Sequence, residues 1–537
     1  MSEANESAAP LAEGSGVAAP SAGHGFGARM RRLGSESLVY GLSSIVGRFL
    51  SYLLTPYYAY AFTPADNGVQ SVVYTYIPLA SLVFLLGLEV AYMRGAAATR
   101  DADLTTRQRT FSMSFGTIAA VGAVGMALGW VAAPWLAEVV KLPVYAVCYI
   151  LAIVYTDALL TVPYAQLRMS NQAKRYAALK LLFAGASIAL NVILIGVLRW
   201  DVSAIFFSNL VANLAVLLLM LPIILRLFRP GTLRGAEWGP LWRYALPLIP
   251  AALAVALVEN GDRMVLNALP DATARAVYGM DTKDAVGIYS FNYKLGVAML
   301  LVVQMFRMAW TPFSLTQAKQ PGAPQLFSRV LTALMIVCSG VLLAVSLFLP
   351  VLVSIPAVYN FPRTPAYWLG LSIVPVILLG YVFSGVYAVV TAGLYVERKT
   401  SVLPWISGAG ALVNLSMCMV GARFGMVAVA WATPASYALM AALGARAANR
   451  VFPVPFEWFR LVHLGAIAGT IFAADHWLLP RAIEPGSALG AGAKLLLLLA
   501  FPALLLLTRF FRAGEFAVMR KLVPRRVSQD SDSQSDR

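Results

Sequence analysis

The sequence predicts an all-α polytopic membrane protein of about 14 transmembrane helices, arranged as two parallel-repeat six-helix bundles followed by two C-terminal helices. Three observations predict it: the composition, the alternation of apolar runs with basic connections, and an internal repeat. The chain has 537 residues, 59% hydrophobic and 12% charged. A soluble chain carries about 25% charged residues, so the excess apolar content needs a lipid solvent. Cys148, Cys338 and Cys418 all lie in apolar runs without metal or redox spacing and read as inert thiols.

The apolar runs fall at 37–62, 68–93, 110–138, 143–168, 176–198, 202–228, 241–269, 285–313, 327–355, 366–396, 401–421, 424–448, 459–479 and 489–511. Each has the length that a helix needs to cross the hydrocarbon core with its backbone hydrogen bonds satisfied internally. Lys and Arg sort by side. With the N-terminus inside, the inner segments collect most of them, and only Lys141, Arg199, Arg275, Lys283, Arg363, Arg423, Arg481 and Lys494 fall outside. This follows the positive-inside rule, places both termini in the cytoplasm, and makes the net charge of +16 topological rather than a nucleic-acid footprint.

The predicted organisation is a disordered cytoplasmic arm at 1–36, an N-lobe of helices one to six at 37–228, and an inter-lobe linker at 229–240. A C-lobe of helices seven to twelve at 241–448 follows, then helices thirteen and fourteen at 459–511 and a basic, polar tail at 512–537. The arm, rich in Ala, Ser, Gly and Pro, has no apolar core of a signal peptide. Asp101-Ala102-Asp103 matches the DxD of glycosyltransferases, but in a short Arg-rich loop it reads as solvated surface.

The repeat is visible where Gly68 is aligned with Gly287: Val69 then matches Ile288, Ser71 matches Ser290 and Tyr74 matches Tyr293. Both copies begin inside, so the repeat is parallel, and the second has a longer outer loop.

Charges within the helices need partners. Glu259, Asp262 and Arg263 at i, i+3, i+4 predict one polar face on helix seven, either a structural lock or a cavity wall. Arg48 lies midway along helix one without an acid one turn away, Lys294 in the outer third of helix eight, and Arg307 nearer its inner end. Asp157 is an isolated carboxylate on helix four, and reads either as an H+ or Na+ coupling site or as a counter-ion to Arg48. Tyr52, Tyr57, Tyr58, Tyr60, Tyr74 and Tyr76 read first as an interfacial belt, and second as surfaces that stack on sugar rings. Pro56, Pro78, Pro247, Pro250 and Pro375 are expected to kink their helices.

The stretches YGLSSIVGRFLSYLLTPYYAYAFTPADNGVQSVVYTYIPLASLVFLLGLEVAYMR and YALPLIPAALAVALVENGDRMVL with VGIYSFNYKLGVAMLLVVQMFRMAWTPF resemble the polysaccharide biosynthesis branch of the MOP exporter superfamily, which includes the Wzx-type flippases. The resemblance runs from Ser37 to Phe511 and implies a central cavity lined by helices one, two, seven and eight, alternately open to each side. It implies a transporter rather than an enzyme. The implied substrate is an undecaprenyl diphosphate-linked oligosaccharide, moved from the cytoplasmic to the outer leaflet of a bacterial inner membrane for O-antigen, capsule or exopolysaccharide synthesis.

Arg48, Arg263, Lys294 and Arg307 are then the expected substrate contacts, with Asp157, Glu259 and Asp262 as charge-pairing or ion-coupling residues. No catalytic residue, metal or cofactor is expected beyond H+ or Na+ coupling. Expected partners are the lipid-linked oligosaccharide, membrane lipids and other polysaccharide-assembly proteins, with no nucleic acid. The alternatives are a lipid II flippase, a MATE-like drug exporter, and a membrane-embedded polysaccharide polymerase or ligase. A drug exporter for cations favours an acidic cavity, and a polymerase a long outer loop; the sequence has neither.

Overall fold

The computed structural model describes residues 52, 54–98, 104–233, 239–246, 248–318, 320–397, 399–482 and 487–511. The arm, the tail, Arg48, the 101–103 motif and most of helix one lie outside the described residues. All regular elements among the described residues are helical. Twelve of these helices are long and apolar enough to cross a membrane. Of the two remaining predicted spans, helix one is described only from its C-terminal part. Helix seven is 21 residues long but carries Glu259, Asp262 and Arg263.

We number the spans α1 (54–61, its described part), α2 (Pro64–Leu85), α3 (Leu104–Val131), α4 (Val144–Met169), α5 (Ala173–Asn191), α6 (Ser203–Leu227) and α7 (Leu248–Ala268). The rest are α8 (Thr282–Gln317), α9 (Ala323–Ser354), α10 (Val374–Val390), α11 (Leu403–Gly421), α12 (Ala432–Asn449), α13 (Trp458–Ala473) and α14 (Ala488–Leu507).

Local chemistry sets several boundaries. Thr63 caps α2 in a reciprocal capping box with Asp66, and Pro64 occupies the first turn, where its missing N–H costs nothing. The second apolar run is not one helix. It breaks at Leu86 and Gly87, both at positive φ, and resumes as Leu88–Ala98. At Gly87 a Cβ would sit 2.6 Å from the Ala245 carbonyl oxygen, so the break requires glycine for both conformation and space. The third run likewise splits into α3 and Ala133–Val140, and the tenth begins with a 3-10 segment, Pro365–Ile373. Pro375 therefore stands in the first turn of α10 rather than within a helix, and Pro250 near the start of α7; Pro78 does lie inside α2. The longer outer loop of the second repeat contains a short helix, Asp271–Tyr278.

In the first half α4 packs against α2, α3 and α6, and α5 against α6; in the second, α7 and α12 pack on α11, and α10 on α8, α9 and α12. The two halves meet most extensively along α2 and α8. Here the repeat-related glycines touch reciprocally. A methyl group at Gly68 would sit 2.0 Å from the Lys283 carbonyl oxygen, and one at Gly287 would sit 1.9 Å from that of Pro64. Each glycine thus abuts the residue four positions before the other.

Around this crossing lie several hydrogen bonds that join 52–228 to 241–448. Lys141 Nζ donates to the Ala268 and Leu269 carbonyls at the end of α7, at 2.9 and 2.7 Å, and Asn267 Nδ2 donates to the Val140 carbonyl at 2.7 Å. Asn67 donates to the Tyr367 hydroxyl, which donates to the Phe62 carbonyl at 3.1 Å. The Arg363 backbone N–H and Nη1 donate to the Ala59 and Ala61 carbonyls, both at 2.8 Å.

α13 and α14 stand apart from the repeat and bury Leu464, Ile467, Phe501 and Leu505 against Leu343 and Leu347 of α9. A buried ion pair adds to this seam. Lys494 lies 3.2 Å from Asp475, and its Nζ donates to the Leu347 carbonyl at 3.1 Å. Lys494, expected from sequence in an outer connection, is 6% exposed within α14. Lys494→Met is expected to destabilise the protein by about 3–5 kcal/mol by stranding the Asp475 carboxylate, with Lys494→Met/Asp475→Leu recovering most of the loss. Thermal unfolding of both variants checks this.

Candidate substrate cavity

A cavity of about 780 Å³ lies between the two halves, directly past the glycine crossing. On α2 its wall is formed by Gln70, Ser71, Tyr74, Thr75 and Pro78, and on α8 by Ser290, Tyr293, Lys294, Val297 and Leu300. These are successive turns of one face on each helix. Tyr52, Leu54, Thr55 and Tyr58 add the α1 side, and Glu259, Asn260 and Arg263 the α7 side. Helices one, two, seven and eight therefore line it as expected. α5, α6 and α10 also contribute, through Lys180, Phe183, Asn209 and Tyr381 among others, and no signal in the sequence points to them.

The polar cluster on α7 divides. Glu259 and Arg263 reach the cavity, whereas Asp262, 1% exposed, turns into the packed bundle and accepts from the Tyr289 hydroxyl at 2.8 Å. The Glu259 carboxylate accepts a hydrogen bond from the Tyr437 hydroxyl. The Arg263 guanidinium lies 3.9 Å from the centre of the Tyr293 ring, and its Nη1 donates to the Glu259 backbone carbonyl at 3.2 Å. Its approach to the Asp262 carboxylate, 3.9 Å, is too long for a hydrogen bond. The planar fork keeps donors available toward the cavity.

Lys294 follows Tyr293 and faces the same space, with no ion pair or hydrogen bond to any described residue. Lys180, counted from sequence among the inner basic residues, also lines the cavity, 4.1 Å from the Tyr164 ring centre. The described wall thus carries three cations and one carboxylate.

Besides Asp262, two expected site residues lie elsewhere. Arg307 is outside the lining, and its Nη2 donates to the Ser384 carbonyl and hydroxyl at 2.8 and 2.7 Å, joining α8 to α10. Asp157 lies behind the wall. It accepts from Asn213 Nδ2 at 2.8 Å; Asn213 also donates to Asn209 Oδ1, and Asn209 donates to the Tyr74 hydroxyl, both at 3.3 Å. Asn209 and Tyr74 line the cavity, so a polar chain connects it to Asp157. Tyr52, Tyr58 and Tyr74 belong to the cavity rather than an interfacial belt, whereas Tyr60 is exposed and pairs with Phe361 at 5.7 Å between centroids.

The model of a family described as "Polysaccharide biosynthesis protein" matches residues 33–316, which include both glycines and the cavity faces of α2, α7 and α8. The chain belongs to this family. No curated protein matches the sequence. Among solved structures, "Lipid II flippase MurJ, inward closed conformation" is 12% identical with a TM-score of 0.64, covering 87% of this chain and 98% of that one. "Inward-facing conformation of a multidrug resistance MATE family transporter of the MOP superfamily" is 14% identical with a TM-score of 0.59, covering 77% and 94%. This member of the polysaccharide biosynthesis family therefore has the fold of the MOP transporters, and is a multi-pass membrane protein.

Proposed function

We propose that the protein is a flippase that moves undecaprenyl diphosphate-linked oligosaccharides from the cytoplasmic to the outer leaflet by alternating access. The observation that carries this reading is Lys294, a cation without a partner among the described residues, placed beside the Arg263 fork in a cavity shared by both halves. Such a pair suits a diphosphate. Guanidinium binds phosphate oxygens through paired N–H donors, and an ammonium adds a point charge. Tyrosine faces and neutral amides around them suit a glycan, and the polyprenyl tail needs no polar contact. The same cations disfavour a cationic drug. Lipid II shares the diphosphate, so the test must separate the two.

The positive-inside distribution of basic residues supports an outer position for the end closed by the Gly68–Gly287 crossing, and with it entry of substrate from the cytoplasm in this conformation. The test is transbilayer movement of undecaprenyl diphosphate-linked oligosaccharide in proteoliposomes. Movement by the wild type and its loss in Arg263→Ala at equal reconstitution are expected. Movement of lipid II in preference would favour the second flippase reading, and no movement of either would overturn the proposal.

Asp157 is the proposed coupling residue, reached from the cavity through Tyr74, Asn209 and Asn213. A carboxylate linked to the cavity by hydrogen bonds can exchange H+ or Na+ when the cavity changes sides. Asp157→Asn is expected to abolish acceleration by an imposed pH or Na+ gradient while leaving gradient-free movement within about threefold, since the amide keeps one acceptor. Retained acceleration would refute the role.

A further inference from the structure

The roof of the cavity contains two polar groups that no described residue pairs. Gln70 is 4% exposed and Ser290 is 2% exposed, yet neither Gln70 Oε1 nor Ser290 Oγ has a hydrogen-bond partner among the described residues. Both line the cavity in the turn immediately past the glycine crossing, one from each half. Buried polar groups are ordinarily paired, because an unmade hydrogen bond costs about 1–3 kcal/mol. Both groups belong to residues that line one cavity, where a ligand can pair them.

We infer that Gln70 and Ser290 form a sugar-hydroxyl subsite, holding the pyranose joined to the diphosphate. The inference rests on the flippase reading and adds to it which end of the head group enters first. Its chemistry is neutral: Gln70 Oε1 accepts from a sugar hydroxyl, and Ser290 Oγ donates or accepts. The neighbouring lining residues Ser71 and Thr75 carry no charge, and the Tyr74 and Tyr293 rings lie one turn farther along each helix. Lys294 is one turn past Ser290 on the same face, and a turn rises about 5.4 Å, the scale of a single sugar ring. With the diphosphate at Lys294 and Arg263, the first sugar therefore reaches the roof. Because one group comes from α2 and the other from α8, that sugar would also bridge the two halves beside their crossing.

The test compares binding of two probes to the full-length protein in nanodiscs: undecaprenyl diphosphate, and the same lipid carrying one neutral hexose. The wild type is expected to prefer the glycosylated probe. Gln70→Met and Ser290→Ala are each expected to weaken that probe about tenfold, the order of one hydrogen bond left unmade in a buried site, and to leave the bare diphosphate lipid unchanged. Ser290→Ala removes a hydroxyl without a partner, so unliganded thermal stability should be unchanged or higher; a fall in stability would mark a structural role and overturn the subsite. Equal weakening of both probes, or no preference in the wild type, would also overturn it. Wild type that binds neither probe would instead refute the flippase reading on which it rests.

Discussion

Gly68→Ala or Gly287→Ala is expected to reduce transport by about 5–150-fold by opening the sealed end of the protein. A methyl group at either position falls within 2.0 Å of a backbone carbonyl oxygen on the opposing helix, at Lys283 or Pro64. Backbone in a helix cannot rotate aside as a side chain can, so α2 and α8 must separate. Overpacking of this kind costs about 1–3 kcal/mol, enough to shift a two-state equilibrium by about 5–150-fold. The cost falls on the conformation described here, in which the two helices meet at these glycines.

Disulfide formation between Tyr60→Cys and Phe361→Cys in a cysteine-free background reads the shift directly. These rings lie 5.7 Å apart and face each other across the two halves. Cross-linking should be efficient in the parent, should arrest transport, and should fall sharply with either alanine. Unchanged cross-linking would show that the crossing does not govern closure.

Lys294→Met is expected to have opposite effects on function and stability. Loss of the ammonium should weaken binding of undecaprenyl diphosphate by about 10–100-fold, the value of a hydrogen bond to a charged group. Folding should not suffer, since Lys294 makes no ion pair or hydrogen bond with the described residues and its methylene stem is replaced by a side chain of similar length. Thermal stability of the unliganded protein is expected to be equal or higher. Arg263→Ala should differ, losing both binding and stability, because the guanidinium covers Tyr293 and holds the Glu259 carbonyl. A Lys294→Met variant that is destabilised, or binds normally, would give Lys294 a structural role.

Much of the architecture was legible before folding because a membrane restricts the options. An apolar run of 20 residues has to be helical in lipid, whatever it packs against. The repeat was legible too: Gly68 and Gly287, aligned by their neighbours alone, prove to be the reciprocal contacts at the crossing. Helix breaks were harder to read, because Leu86 and Gly87 interrupt an otherwise continuous apolar stretch, and the close Ala245 carbonyl that requires glycine comes from far along the chain.

The site was only partly legible. Spacing i, i+3, i+4 brought Glu259, Asp262 and Arg263 to one side of α7, but three residues advance about 300° around a helix and leave roughly 60° between neighbours. That angle lets Tyr289 of α8 take Asp262 while Glu259 and Arg263 face the cavity. Lys180, near a helix start, reads from sequence as an inner-surface charge, and Lys494, likewise placed, as an outer one; helix packing turns both inward.

The sequence by itself determined that this chain spans a membrane in two related halves and that its helices carry unusual charges, since hydropathy, charge bias and periodicity are properties of local segments. Tertiary structure alone decided which charges meet a cavity and which meet protein. Lys294 and Arg307 occupy the same helix, yet Ser384 of α10 satisfies one and no described group satisfies the other. Pairing depends on the helix opposite, and hydropathy carries no information about which helix that is.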